Sequence, residues 1–282
     1  MKVSGAGFKR RGGKSDKQGN PNVVTEPPSY FGYQLAKRDI SVDFVQRTID
    51  AGEPWIDPVF PPVFASLAKD DRNCDDVEKF RKIEWKRMTE IFPNPVMYSD
   101  GIDPGDVSQG ILGDCYFLAV LSSMAEFPDR IKAMIETEEI NTAGIYLLKF
   151  WVNGLETSVI VDDYLPVHKG TSKLAFSYSK QDEVWVSLLE KGWAKLHGSY
   201  AATSGGLPNF AASHLAGVPS ESLRHEEHSD LDEFWKIIKS ADNRKFTLMA
   251  ASLGEGEEEN PEGIISGHAY SVVSTHEFIY RD

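Results

Sequence analysis

Gln109-Gly-Ile-Leu-Gly-Asp-Cys-Tyr-Phe-Leu-Ala-Val-Leu121 sets one cysteine, Cys115, at the mouth of an apolar helix, six residues after a glutamine. A thiol at a helix N-terminus feels the positive end of the dipole, which favours the nucleophilic thiolate. The amide of Gln109 is a neutral donor able to reach an oxyanion forming beside that sulfur. Nucleophile, helix and donor together point to acyl transfer. Leu118, Val120, Leu121 and Ala125 make the helix apolar on most sides, so it is expected to be buried and to run from about 114 to 126, where Pro128 stops it.

Such a cysteine needs a base. His268 lies in Ser266-Gly-His-Ala-Tyr-Ser-Val-Val273, and its neighbours Gly267 and Ala269 are small enough to let another surface approach the imidazole. His225-Glu-Glu-His228 has a spacing that can bind metal on a helix, but it lacks a third ligand and reads as a solvated face. Cys74 sits among carboxylates, which raise a thiol pKa, and reads as a bystander. No CxxC, HExxH, P-loop, GxGxxG or GxSxG occurs.

The bulk properties exclude several classes. The chain has 282 residues, 41% hydrophobic content and a mean hydropathy of −0.34, values of a folded, water-soluble protein. Its net charge of −13 opposes general nucleic-acid binding. No apolar run reaches a membrane span, and the N-terminus has no apolar core of a secretory signal. Two cysteines fit a reducing, cytoplasmic setting. Residues 1–28 read as a flexible basic tail, with at most transient membrane contact.

Along the chain, a helix is expected around 40–50, an extended proline-stiffened segment at 57–62 and a short helix over 77–91. The alternation at 144–152 and 156–163 around Asn153-Gly154 predicts a hairpin. Helical spacing returns at 184–196 and 231–240. Residues 198–219 read as a small-residue loop and domain boundary. Strands are expected at 245–253 and 267–274. The order, helical first and strand-rich later, is an α+β pattern in two unequal pieces.

The Cys115 motif resembles the catalytic-cysteine motif of calpains. So do, in order, Asp57-Pro-Val-Phe-Pro-Pro, Val161-Asp-Asp-Tyr-Leu-Pro, Trp185-Val-Ser-Leu-Leu-Glu-Lys-Gly-Trp-Ala-Lys-Leu, Gly198-Ser-Tyr-Ala-Ala-Thr-Ser-Gly-Gly and Gly267-His-Ala-Tyr-Ser-Val. The resemblance implies a papain-like cysteine protease core, with a helical Cys-bearing subdomain at 29–212 and an incomplete β-rich His-bearing subdomain at 213–282. It implies a calcium-dependent endopeptidase making limited cuts in intracellular proteins, with Cys115, His268 and Gln109 as catalytic groups. It names no regulatory domains or subunits. Ca2+ is implied as cofactor, held by the loop carbonyls of Ser99 and Gly101 and the carboxylates of Asp106 and Glu190. Oxygen-only ligation suits that hard cation.

The sequence also departs from the family's pattern. Tyr116 stands where calpains usually carry tryptophan, and Pro104 replaces an arginine that some use to connect the two halves. His214-Leu-Ala-Gly-Val replaces an Asp-Phe-Thr-Gly-Gly block. The family's third catalytic residue, an asparagine in Asn-Pro-Trp-Gly, has no counterpart before Asp282, so the catalytic core reads as truncated after the histidine motif. The alternative reading is a catalytically incomplete calpain-like binding or regulatory protein, or a calcium-responsive module.

Overall fold

A computed structural model describes residues 38–68, 77–254 and 259–278. The expected basic tail and Cys74 lie outside them. In chain order the helices are α1 (Arg38–Ala51), α2 (Phe64–Leu67), α3 (Val77–Phe80), α4 (Met88–Ile91), α5 (Cys115–Ala125), α6 (Pro128–Lys132), α7 (Trp185–His197), α8 (Pro208–Ala216) and α9 (Leu231–Asn243). The strands are β1 (Ile83–Arg87), β2 (Ile145–Val152), β3 (Leu155–Asp162), β4 (Tyr164–His168), β5 (Leu248–Ala251) and β6 (Ala269–Val272). They form three antiparallel two-stranded ladders, β1–β4, β2–β3 and β5–β6. This mixture of helices and strands agrees with the α+β expectation.

Helix α5 is the axis of the main core. Phe117, Val120, Leu121 and Ala125 are fully enclosed, and the ring of Phe117 stacks on Trp193 of α7 at 5.2 Å. The β2–β3 hairpin turns at Asn153 and Gly154, whose φ values of 53° and 76° are those of a two-residue turn matched to the strand twist. Pro128 does not merely stop α5. It opens α6 from the first helical position, where its missing N–H costs nothing.

Two expectations are corrected. Residues 77–91 are not one helix: the short α3 and α4 flank β1, which pairs with β4 from Ile83↔His168 to Arg87↔Tyr164. Ile-Glu-Trp-Lys-Arg is too short for periodicity to separate helix from strand, and the distant partner decides. Residues 198–219 are not all loop either. α8 packs on α5 and β2 with Ala211, Ala212 and Leu215 buried. It ends at Gly217, whose φ is +66° and where a Cβ would come within 2.3 Å of the Trp151 ring. Positions 212 and 213, where the boundary was expected, lie within α8.

A buried ionic network fastens this body together. Lys195 on α7 meets Asp57 at 2.6 Å, and Asp57 N–H donates to Asp162 at 2.8 Å. Lys191, enclosed on every side, bonds to Asp162 and donates to the carbonyl of Tyr164 at 2.6 Å. Arg87 pairs with Asp163 at 2.5 Å and donates to Trp55 O at 2.8 Å. Burial draws both lysine pKa values down while the facing aspartates hold them up. Three of the sequence blocks that carry the calpain resemblance are thus the partners of one another.

Beyond Gly217 the packing is sparser. The α9 side chains are nowhere fully buried, although Asp230 caps the helix by accepting from Asp232 N–H and Glu233 N–H. The β5–β6 hairpin lies against α5: Ser123 Oγ donates to Leu248 O at 2.7 Å, Ser122 Oγ meets Ser271 Oγ at 3.2 Å, and Ala269 enters the main core.

Removing one partner of an enclosed ion pair strands the other charge. Lys191→Met is expected to lower unfolding stability by about 3–5 kcal/mol, and Lys86→Met, at a half-exposed site, by no more than about 1 kcal/mol. Urea unfolding of the two variants checks this, and equal midpoints would refute it.

Candidate active site

The glycines of the cysteine motif answer close backbone approaches. Ser108 and Tyr178 exchange backbone bonds at 3.0 Å each, and Ile111 N–H donates to Ala175 O at 2.9 Å. Between them, a Cβ at Gly110 would fall 2.2 Å from Phe176 O, so only glycine lets the loop lie there. Gly205 N–H donates to Gly113 O at 2.7 Å, bringing the Ser204-Gly-Gly turn against the motif. A Cβ at Gly206 would meet the Tyr116 ring at 2.5 Å. Gln109 turns back over this loop and donates from Nε2 to Leu112 O at 2.7 Å.

Cys115 is half-buried at the first position of α5, where backbone N–H groups have no partner within the helix. Tyr116, at the position where the resemblance calls for tryptophan, donates to Thr203 O and accepts from Trp193 Nε1, each at 3.1 Å. The phenol thereby ties the first turn of α5 to α7 and to the loop behind it. Burial holds its pKa up at about 12.

His268 lies one residue before β6. Its backbone is held by Ser252, whose N–H donates to His268 O at 2.9 Å while His268 N–H donates to Ser252 Oγ at 3.1 Å. The imidazole meets Tyr270 edge-on at 5.0 Å, and its Nδ1 is buried with no hydrogen-bond partner among the described residues. The contacts along α5 give the hairpin a direction. Arg130 of α6 bonds to Thr247 and Lys245, Ser123 to Leu248 and Ser122 to Ser271. Going back along α5 toward Cys115 thus leads along the hairpin from Val272 toward His268.

The implied calcium ligands are only partly brought together. Ser99, Gly101 and Asp106 lie on one loop, where Asp106 accepts from Asp103 N–H at 2.7 Å and Gly101 has φ +108°. Glu190 is elsewhere. It is buried on α7, both its oxygens accept from Ser177 N–H at 3.0 and 3.1 Å, and its neighbour is Asp114. The carboxylate that does reach the loop is Glu183, which accepts from Ser99 N–H at 2.6 Å and from Trp185 Nε1 at 3.2 Å. Burial pushes its pKa up, and the nearby charge of Asp106 adds to that. Glu183 was missed because Glu190 lies inside the resembling block and Glu183 just before it. The readable signal was the polar stretch Gln181-Asp-Glu entering α7. Two carboxylates facing one carbonyl-rich loop suit an oxygen-ligated cation, although no group of three or more His, Cys, Asp or Glu side chains able to hold a metal occurs among the described residues.

A thiol at a helix start, with a histidine strand docked along the same helix, defines a site of the cysteine-peptidase type. The chain belongs to the calpain family of cysteine proteases, whose profile matches residues 55–282. It is 33% identical to a calpain of Schistosoma mansoni over 275 residues, covering 93% of this chain and 35% of the relative. It is 37% identical over 261 residues to the calpain-type cysteine protease DEK1 of Zea mays, covering 86% of this chain and 12% of that protein. Calpain-A of Drosophila melanogaster is 34% identical over 261 residues, 90% of this chain and 30% of the relative. The chain thus spans about a third or less of these relatives.

Tyr116→Phe leaves Thr203 O and Trp193 Nε1–H buried without a partner and is expected to cost about 1–3 kcal/mol of stability. Thermal unfolding beside the wild type tests this; an unchanged midpoint would show that water takes over both bonds.

Proposed function

We propose that this chain carries the nucleophile and base of a calcium-dependent cysteine endopeptidase that makes limited cuts in cytoplasmic proteins. The observation supporting it most is the docking of the His268 hairpin along the helix that begins with Cys115. His268 takes the thiol proton and the Cys115 thiolate attacks the scissile carbonyl. The oxyanion is held by the Cys115 backbone N–H and the Gln109 amide. The imidazolium gives its proton to the departing amine as the C–N bond breaks. His268 then deprotonates a water that cleaves the thioester and restores the thiol.

When bound, calcium would supply fixed positive charge that orders the loop beside the nucleophile. Ser99, Gly101, Asp106 and Glu183 are the residues that would hold it. Their oxygen chemistry and the crowding of two carboxylates favour that reading. Ser122 on α5 donates to Pro104 O at 3.0 Å, so the loop's order would reach the catalytic helix directly.

A second reading, a binding or regulatory module without turnover, is favoured by the Nδ1 of His268, which has no hydrogen-bond partner among the described residues. The two are separated by cleavage of an unfolded polypeptide with and without millimolar calcium. The endopeptidase reading expects Cys115→Ala to lower the rate by roughly a thousandfold or more and Glu183→Gln to weaken the calcium response. Equal rates in wild type and Cys115→Ala would sink it, and a full calcium response in Glu183→Gln would remove that ligand. A thiol-reactive peptide probe that labels Cys74 before Cys115 would favour the binding module.

A further inference from the structure

Helix α1 and the segment 136–141 face each other across a groove of about 270 Å³, apart from the candidate active site. Its floor is apolar. Val42, Val45 and Ile49 share one face of α1, and Leu147 of β2 lies against them. The opposite wall is tied to β2: Glu136 N–H donates to Leu147 O at 2.9 Å, Leu147 N–H to Thr137 Oγ1 at 3.2 Å, and Asn141 Nδ2 to Ile145 O at 3.0 Å. The groove is therefore preformed, and this wall carries three carboxylates. Lys149 meets Glu136 at 3.4 Å, whereas Glu138 and Glu139 are exposed and in no ion pair among the described residues. No described lysine or arginine lines the groove.

We propose that this groove is the docking site of the chain's own basic segment Phe8-Lys-Arg-Arg11, the ring on the apolar floor and the cations on Glu138 and Glu139. The segment lies outside the described residues. In a chain of net charge −13, residues 1–28 hold six lysines and arginines against two acidic residues. Lys9-Arg-Arg11 is the chain's one run of three consecutive cations, and an aromatic residue directly precedes it. That order of side chains complements an acidic wall beside an apolar floor. Charge-assisted bonds to carboxylates would hold the cations, and the groove would take the ring out of water. Residues 12–37 join the segment to the helix that supplies the floor. At up to about 3.5 Å per residue they are more than long enough to bring it back over the groove. Being on the same chain, it meets the groove at an effective concentration on the order of millimolar. A second copy has no such advantage, and its body bears the same net negative charge.

Trypsin, which cuts after Lys9, Arg10 and Arg11, reads the docking on the full chain. Initial cleavage at these bonds, followed by mass spectrometry at low ionic strength, is expected to be about fivefold or more faster in Glu138→Lys/Glu139→Lys than in the wild type. Glu226→Lys/Glu227→Lys changes the net charge equally at exposed sites that do not line the groove, and is expected to keep the protection. Equal rates in all three chains, or equal loss of protection in both variants, would overturn the proposal. Should the groove variant misfold, salt decides on the wild type alone. At about 0.5 M the screening length falls to roughly 4 Å, and protection is expected to disappear; unchanged cleavage between low and high salt would refute the ionic docking. The occupant is identified by carbodiimide coupling of Lys9 to Glu138 or Glu139 in a mixture of light and isotopically heavy chains. Cross-links within one chain support the proposal. Cross-links between light and heavy chains would assign the groove to a second copy and overturn it, as would coupling of Lys9 to neither glutamate.

Discussion

Helix α7 buries a glutamate and two lysines within two turns, and the surrounding structure is arranged to satisfy them. An enclosed charge left alone costs several kcal/mol, so each must meet a fixed partner. Lys195 requires Asp57, Lys191 requires Asp162, and Glu190 requires the Ser177 N–H. Those partners lie in the extended segment before α2, at the turn from β3 to β4, and in the loop that precedes α7. One helix thereby sets the position of three separate stretches of chain. Trp193, on the same helix, stacks on Phe117 and fixes how α5 lies against it. The lie of α5 thus depends on the helix that carries these buried charges.

The backbone around Cys115 obeys a second constraint, close approach. Gly110 lies on the Ala175–Phe176 backbone, Gly205 bonds to Gly113, and Gly206 makes room for the Tyr116 ring. A side chain at Gly110 or Gly206 would push apart the strands that hold the cysteine's turn. The phenol of Tyr116 spans the resulting gap to Thr203 and Trp193. The tyrosine at this position attaches by two directed hydrogen bonds.

Much of this was legible in the sequence, wherever the signal is local. Asn153-Gly154 specified its hairpin, the apolar run after Cys115 specified a buried helix, and the spacing of Trp185, Leu188, Leu189 and Trp193 specified α7. What escaped depends on distant partners. β1 is a strand because β4 pairs with it, and α8 is a helix packed in the core because α5 and β2 cover its short alanine-rich face. The candidate site divides in the same way. Cys115 and His268 declare themselves through their immediate neighbours. The carboxylate opposite Ser99 is known only once the turn at Gln181 and Asp182, both at positive φ, delivers Glu183 there and leaves Glu190 inside.

The thiol and imidazole proposed as nucleophile and base are joined through α5 itself. The His268 hairpin is attached to that helix by hydroxyl groups, Ser122 to Ser271 and Ser123 to Leu248, and to α6 by Arg130. Individual bonds of this kind contribute about 1 kcal/mol each, and Ala269 and Met249 add apolar contact with the same core. Ser122 also donates to Pro104 O, so the same hydroxyl touches both the loop that carries Asp106 and the strand that follows His268. A change of order in that loop has a direct physical route to β6, one side chain long, through a residue on the helix that begins with Cys115.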